Sequence, residues 1–191
     1  MTKTKEINIK SLIIVLGCLN GLMPFSTDLY LPAFPAMAGN LGTNIGMITL
    51  SMSTFFAGAC VGQFFNGPLL DRFGRKNPML IALIFFFLIS LGCAMTGNII
   101  VLCTFRFFQA ISISVCSVGS RAIVRDVFPV EKIASMFSML SLIMGIAPII
   151  APTLGGFILL FSDWRGIFIF LAIMALILLV ALHFFLPHVK E

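Results

Sequence analysis

Residues 67–91 read GPLLDRFGRKNPMLIALIFFFLISL, and this stretch combines the two features that decide the fold. Its first ten residues hold four charges within six positions, together with two glycines that permit a tight reversal of the chain. The residues that follow, 79–91, carry no charge and lack the apolar–polar alternation of a membrane β-strand. The stretch therefore predicts a short charged connection leading into a helix that crosses a bilayer.

The composition of the whole chain extends this prediction. Hydrophobic residues make up 60% of the 191 positions and charged residues only 10%, whereas a soluble domain has roughly 25% charged residues. The mean hydropathy is +1.13, so the apolar content exceeds what a core of this size buries and lipid must cover the remainder. The net charge of +5 comes from scattered basic residues, not from a patch, which argues against a nucleic-acid partner.

Six charge-poor runs are each long enough to cross the bilayer, which takes about 20 apolar residues as a helix. They are separated by short connections rich in Gly, Asn and Pro. The sequence thus predicts an all-α membrane protein with spans at residues 12–31, 47–70, 78–96, 99–120, 136–161 and 166–186.

The basic residues predict the orientation, because Lys and Arg accumulate in cytoplasmic loops. Ten of the twelve fall on the side of the amino terminus, Arg165 falls on the other side, and Arg106 lies within a span. We therefore expect a multi-pass protein of the cytoplasmic (inner) membrane with both termini in the cytoplasm. Tyr30 and Trp164 lie near the outer ends of their spans, where aromatic belts form.

The charged connection carries more than an orientation signal. Basic residues alone satisfy the positive-inside rule, which leaves Asp71 and the glycine spacing unexplained. The stretch resembles the motif G-x-L-x-D-R-x-G-R-K of the major facilitator superfamily. That resemblance implies that the loop helps to latch two helical bundles together, with orientation alone as the alternative; the residues concerned are Gly67, Asp71, Arg72, Gly74, Arg75 and Lys76.

Two charges lie inside predicted spans, where lipid penalises them unless they face the bundle interior. Asp28 is late in span one and Arg106 is about two turns into span four, so both lie at similar depth toward the outer half and could pair directly. Asn20 precedes Asp28 by a little over two turns, on the same face, with Pro24 between them. A kinked polar stripe predicts a cavity lining; the alternative is capping near the interface.

The segment STDLYLP at residues 26–32 resembles the first helix of drug:proton antiporters, especially the Bcr/CflA subfamily. RFFQA at residues 106–110 resembles the fourth-helix motif R-x-x-Q-G, with Ala110 in place of the final glycine. The resemblance implies proton-coupled export of small molecules. It also implies a proton and substrate cavity lined by Asp28, Arg106, Asn20, Tyr30 and Gln109.

Span five concentrates small residues and prolines in the segment GIAPIIAPTLGG, residues 145–156. Small residues let membrane helices approach closely, and Pro bends them, so the segment predicts a bent and tightly packed helix. It resembles the antiporter motif g-x-x-x-G-P-x-x-G-G, although Ala151 replaces one glycine. An ordinary tight helix contact is the alternative for Gly145, Pro148, Pro152, Gly155 and Gly156.

Motifs typical of enzymes and metal sites are missing from the sequence. It has no nucleotide loop, no G-x-S-x-G and no HExxH, and its five cysteines show no C-x-x-C spacing. We expect no enzymatic activity, no metal and no cofactor, with a proton gradient as the energy source.

The resemblance raises a question of length, because the superfamily ordinarily has twelve spans. Residues 1–191 correspond to an N-terminal six-helix bundle of two inverted three-helix repeats, and the C-terminal bundle is absent. The expected partners are the lipid bilayer, protons, a small-molecule substrate, and a second bundle or second chain. A fragment, a half-transporter and a non-transporting protein that regulates another transporter remain open, as does the identity of the substrate.

Overall fold

The computed structural model describes residues 9–185 and shows an all-helical fold. Within these residues, six stretches are long and apolar enough to span a membrane. The six-span prediction is therefore confirmed. The helices are α1 (Ile9–Asp28), α2 (Phe34–Asn40), α3 (Ile45–Phe73), α4 (Lys76–Met95), α5 (Ile99–Val127), α6 (Val130–Phe161) and α7 (Trp164–Phe185), with a 3₁₀ turn, Leu31–Ala33, between α1 and α2.

Three helices extend past the apolar runs that predicted them. α3 ends at Phe73 instead of residue 70, α5 ends at Val127 instead of residue 120, and α6 begins at Val130 instead of residue 136. The helical backbone satisfies its own hydrogen bonds, so it continues beyond the hydrocarbon to where charged side chains reach water. The predicted end of span six at residue 186 lies outside the described residues.

Asparagine side chains cap the first turns of α3 and α5, at the ends of these helices opposite the charged connection. The Asn44 side chain accepts a hydrogen bond from the backbone N–H of Met47 (2.9 Å), which starts α3. The Asn98 side chain accepts from Ile100 (2.8 Å) and starts α5. Each cap satisfies a backbone donor that the first helical turn leaves unpaired. The polar residues between apolar runs therefore fix where two of the spans begin.

The helix contacts follow the symmetry of two inverted repeats. α3 packs chiefly on α5 and α1 packs chiefly on α6; α4 packs on α5 and α7, and α1 also packs on α5 and α7. Exchanging the first three spans (α1, α3, α4) with the last three (α5, α6, α7) turns α3–α5 into α1–α6 and α4–α5 into α1–α7, and it leaves α1–α5 and α4–α7 unchanged. The predicted architecture is thus reproduced by the contacts, with α1 against α5 at the centre.

Two of these pairings, α3 on α5 and α1 on α6, rest on glycines. A side chain on Gly58 or Gly62 of α3 would collide with α5, at the Phe107 carbonyl and the Ser114 hydroxyl respectively. A side chain on Gly155 of α6 would collide with the Leu29 carbonyl just after α1. Small residues allow this approach without any hydrophobic driving force between helices in lipid.

The two aromatic residues expected at the interface are instead in the core. Tyr30 is 1% exposed and Trp164 is 0% exposed, so the aromatic-belt prediction is wrong for both. Trp164 packs edge-on against Phe168 with ring centroids 6.0 Å apart. Their positions near span ends suggested the interface, but the Tyr30 ring packs between Phe34 and Phe168, with centroid distances of 5.1 and 6.0 Å.

Candidate functional site

Arg106 is fully buried on α5, at the centre of the bundle. One terminal nitrogen, Nη2, donates to the backbone carbonyl of Ser26 at 2.8 Å, and Nη1 donates to Gln109 Oε1 at 2.7 Å. Ser26 lies in the last turn of α1, where carbonyls lack helical partners and the helix dipole is negative. The Arg106 guanidinium therefore caps the end of α1 while it bridges α1 and α5.

Aromatic rings form the remaining environment of the guanidinium. Its carbon Cζ lies 4.2 Å from the ring centroid of Phe55, 4.5 Å from that of Tyr30 and 5.9 Å from that of Phe168. The negative faces of aromatic rings attract cations, and more strongly where water is excluded. The Nε atom of Arg106 is buried without a hydrogen-bond partner. The site thus holds a desolvated positive charge with one donor left over.

Gln109 extends the network to a third helix. Its amide nitrogen donates to the Ser90 hydroxyl on α4 at 2.7 Å, and Ser90 donates to the Phe86 carbonyl at 2.7 Å. Both polar side chains are fully buried. Polar networks in a membrane interior hold helices in a defined register because each unpaired group is costly there. The sequence motif at residues 106–110 therefore corresponds to one connected polar layer.

Asp28 does not form the predicted ion pair. It is the last residue of α1 and is partly exposed, and among the ion pairs within residues 9–185 none joins it to Arg106. The direct pair that their similar depth allows is therefore not formed in this conformation. The reason is geometric: Arg106 reaches the backbone of Ser26, two residues earlier, and three aromatic rings surround it. Asp28 remains close in sequence to the carbonyl that Arg106 binds.

Asn20 lies on α1, fully buried, and faces α5 at another level. Its Oδ1 accepts from the Ser117 hydroxyl at 3.1 Å, and Ser117 in turn accepts from Arg121 at 3.0 Å. Tyr30 approaches α3, where its hydroxyl lies 3.4 Å from that of Ser51. The structure thus places four predicted cavity residues, Asn20, Tyr30, Arg106 and Gln109, along the α1–α5 core.

The charged connection is shorter than predicted, because α3 runs through Gly67 and ends only at Phe73. Gly74 has a positive φ of 76°, a conformation that favours glycine, and makes the reversal. A side chain at Gly67 would meet nothing within 4 Å. The prediction of a glycine-dependent turn is therefore right for Gly74 and wrong for Gly67.

Arg75 is the centre of an ion cluster at this end of the bundle. It bonds Asp71 at 2.9 Å and Asp126 of α5 at 3.0 Å, and it donates to the Leu70 carbonyl at 2.8 Å. Lys76 donates to the carbonyl of His183 in α7 at 3.1 Å. The motif therefore ties α3, α4, α5 and α7 together within this bundle. Its action on a second bundle stays a prediction.

The span-five residues divide into two groups. Gly155 is buried at the close contact with Leu29, whereas a side chain on Gly145 or Gly156 would meet nothing within 4 Å. Pro148 is exposed and Pro152 is partly exposed, and α6 continues through both. The predicted tight contact is therefore found at Gly155 and not at Gly145 or Gly156.

Sequence reasoning missed three residues that contact the buried network. Phe55 and Phe168 carry no local signal that separates them from the other phenylalanines, of which the chain has 21 in all. Ser90 was overlooked although it is a lone hydroxyl in the apolar run 79–91, which was a usable signal. Among the described residues, no group of three or more His, Cys, Asp or Glu is placed to hold a metal ion.

The comparisons with known proteins agree with this architecture. The sequence profile of the Major Facilitator Superfamily matches residues 16–191. The chain is a member of the major facilitator superfamily. This superfamily consists of transporters, and the member described here has a six-helix bundle whose centre is a buried arginine.

The relatives of this superfamily member include proteins named for drug resistance. It is 42% identical over 176 residues to the uncharacterized MFS-type transporter YdgK of Bacillus subtilis, covering 90% of this chain and 44% of that protein. It is 32% identical over 181 residues to the bicyclomycin resistance protein homolog of Haemophilus influenzae, covering 94% and 46%. The multidrug resistance protein MdtL of a Shewanella species is 32% identical over 163 residues, covering 84% and 41%.

A solved structure of a proton:xylose symporter, XylE, has the same fold with a TM-score of 0.81. The identity is 18%, and the match covers 92% of this chain and 44% of the symporter. The superfamily member thus spans less than half the length of the relatives it matches.

Proposed function

We propose that this bundle works as one half of a twelve-helix transporter that exports small molecules from the cytoplasm in exchange for protons. The relatives named for resistance to bicyclomycin and to multiple drugs support export of drug-like substrates. The observation that carries the proposal is the desolvated Arg106, bound to the end of the helix that carries Asp28.

Asp28 supplies the protonatable group. When it is ionised, the positive guanidinium of Arg106 attracts it, and this attraction competes with the hydrogen bond to the Ser26 carbonyl. When Asp28 takes up a proton, the attraction is lost and Arg106 returns to the helix end. Since Ser26 and Asp28 lie in one helical turn, a change in protonation alters how α1 is held against α5, which couples proton entry to movement of the bundle.

The remaining half of the transporter, or a second chain, covers the exposed face of α6. Only Leu140, Ala147, Ala151 and Gly155 of this helix are buried, and large apolar residues including Ile149, Leu160 and Phe161 are at least 75% exposed. The partner also meets the cluster around Arg75, whose charges then bias the inward and outward states. Residues 1–191 thus form an N-terminal bundle whose C-terminal counterpart completes the substrate cavity.

The orientation places the bundle in a membrane across which a proton gradient is maintained. The distribution of basic residues supports a cytoplasmic membrane location with both termini in the cytoplasm. The proton gradient across that membrane supplies the energy, and no cofactor takes part. The substrate itself is a small molecule held between the two halves.

The test is pH-gradient-driven efflux of a fluorescent cationic drug from vesicles, with the Asp28→Asn variant compared with the wild type. The chain is assayed alone and co-expressed with the part of the Bacillus subtilis relative that this chain does not match. We expect efflux in at least one of the two assemblies and its loss in Asp28→Asn, because the amide cannot carry a proton. Asp163→Asn, at the exposed start of α7, is the matched control and retains efflux.

Undiminished efflux by Asp28→Asn contradicts the assignment of the proton site. No efflux in either assembly favours a second function, a non-transporting membrane protein that pairs with another transporter. The same exposed face of α6 supports that alternative, because it suits any partner helix of matching shape. Co-purification with a full transporter, lost when Ile149 and Leu160 are changed to lysine, then identifies it.

A further inference from the structure

A groove of about 670 Å³ runs between α3 and α4 on the side of the bundle away from α1 and α6. α3 and α4 touch little, since α4 packs instead on α5 and α7, and α5 forms the floor of the gap. Small side chains leave the space open at one wall, where Pro78 and Ala82 lie. The other lining residues include Leu69, Phe73, Phe85, Phe108 and Ile111.

The dimensions of the groove match one leaflet of a membrane. Along α4 it extends from Asn77 to Ile89, which is about 18 Å at the helical rise of 1.5 Å per residue. Half of the roughly 30 Å hydrocarbon core is about 15 Å. At the far end, the lining residue Phe105 packs on Gly92, where an added side chain would lie 3.0 Å from the ring. The near end lies beside the charged connection at Gly74.

The interior of the groove offers apolar contacts only. Its two polar residues below the mouth are already engaged: the Asn66 amide donates to the Ser114 hydroxyl at 2.7 Å, and the Ser112 hydroxyl donates to the Phe108 carbonyl at 3.0 Å. An occupant therefore has no reason to carry hydrogen-bonding groups at that depth. A hydrocarbon chain fits this surface.

The mouth of the groove carries a positive charge. The Arg72 guanidinium lies 5.4 Å from the ring centroid of Phe73, which lines the groove. Arg75 already binds Asp71 and Asp126, and within residues 9–185 no carboxylate forms an ion pair with Arg72. A guanidinium donates readily to phosphate oxygens. With the predicted orientation, this charge stands at the cytoplasmic surface, where anionic lipids are concentrated.

We infer that the groove binds an anionic phospholipid of the cytoplasmic leaflet, with one acyl chain between α3 and α4 and its phosphate on Arg72. This site is separate from the buried Arg106 network and does not depend on export. The lipid enters the groove from the bilayer. The length of the groove favours an acyl chain, and Arg72 at its mouth favours an anionic headgroup.

The test uses tryptophan quenching in the full chain, reconstituted in phosphatidylcholine vesicles that contain a small fraction of phosphatidylglycerol with brominated acyl chains. The reporter is Phe85→Trp, which lines the groove, and the matched control is Phe64→Trp, an 84% exposed position on α3 outside it. Both keep an aromatic side chain in a lipid-exposed position, so both are expected to fold. The fluorescence of the buried Trp164, measured in the chain without either substitution, is subtracted from both, and quenching by brominated phosphatidylcholine gives the baseline for each.

We expect Phe85→Trp to be quenched by phosphatidylglycerol about fivefold more effectively than by phosphatidylcholine, the preference expected of one basic residue near an anionic surface. Phe64→Trp is expected to show no such preference. Adding Arg72→Ala abolishes the preference at Phe85→Trp, Arg72→Lys keeps part of it, and Arg165→Ala at the other membrane surface leaves it unchanged. Equal quenching by both lipids, or a preference that survives Arg72→Ala, overturns the proposal.

Discussion

Arg106 and Arg75 bind their surroundings in opposite ways. Arg106 is fully buried, has no ion-paired carboxylate among the described residues, and relies on a helix end, an amide and three aromatic rings. Arg75 lies at the membrane edge with its side chain 24% exposed and binds two carboxylates, at 2.9 and 3.0 Å. Carboxylates therefore pair with Arg75, which water also solvates, and not with Arg106, which is buried.

From this difference we infer that Arg106 is kept for function and Arg75 for assembly. A buried charge without a counter-ion lowers the stability of a fold. Such a charge is therefore a candidate for a functional role, such as a response to a proton or a ligand. Ion pairs at a surface contribute little energy, and their value lies in setting register and orientation. Three substitutions test this comparison.

The largest effect is expected for Arg106→Met. The side chain keeps its length but loses its charge, so proton-driven efflux is lost in whichever assembly shows it. The unfolding free energy changes by less than about 2 kcal/mol, because relief of a buried charge offsets the unpaired Gln109 and Ser26 groups. Efflux and SDS titration of the solubilised protein measure the two quantities.

Two results with Arg106→Met contradict the comparison. If the variant exports as the wild type does, the buried charge is not functional. If the variant no longer folds, the charge of Arg106 is needed for assembly of the bundle, which is the role we infer for Arg75. Arg165→Met, at a partly exposed position at the start of α7, is the control and keeps both efflux and stability.

An intermediate effect is expected for Gly155→Leu, which tests how α6 holds the helix end that Arg106 caps. The new side chain collides with the Leu29 carbonyl, so the unfolding free energy falls by about 3 kcal/mol, the upper range for overpacking. Gly156→Leu is the matched control, since open space surrounds that position. Similar thermal unfolding of the two variants, measured in one detergent, disproves the role of this contact.

The smallest effect is expected for Arg75→Gln. Loss of both ion pairs lowers the unfolding free energy by about 1 kcal/mol or less, and high salt reduces the difference between variant and wild type because it screens exposed charges. Arg72→Gln, whose guanidinium lies over Phe73 without an ion pair, serves for comparison and shows no salt-dependent change. A loss well above 1 kcal/mol that salt does not alter rejects the surface assignment of Arg75.

The sequence predicted much of the fold because hydrocarbon imposes a length and a polarity on each span. The six runs gave the six spans, but the ends of α3 and α5 were set too early, at residues 70 and 120, since charges were taken as boundaries. The buried positions of Tyr30 and Trp164 were not predictable, because closeness to a span end does not reveal whether another helix covers the ring.

The site was predicted in part, for a related reason. An ionisable residue inside an apolar run is conspicuous, so Asp28 and Arg106 were found, and their motifs added Tyr30 and Gln109. Their pairing was wrong, because similar depth along two helices does not fix which atoms meet. Phe55 and Phe168, which contact the guanidinium, carry no local signal among so many phenylalanines.

The sequence by itself determined the membrane environment, the number of spans, their expected orientation and the conspicuous charges, since each follows from the free energy of moving a residue between water and hydrocarbon. Only the tertiary structure decided that Arg106 caps α1 through Ser26, that Gly155 and not Gly156 meets α1, and that α3 and α4 part to form a groove. These depend on how helices distant in the chain rotate and pack against one another, and that arrangement is fixed by many weak contacts at once.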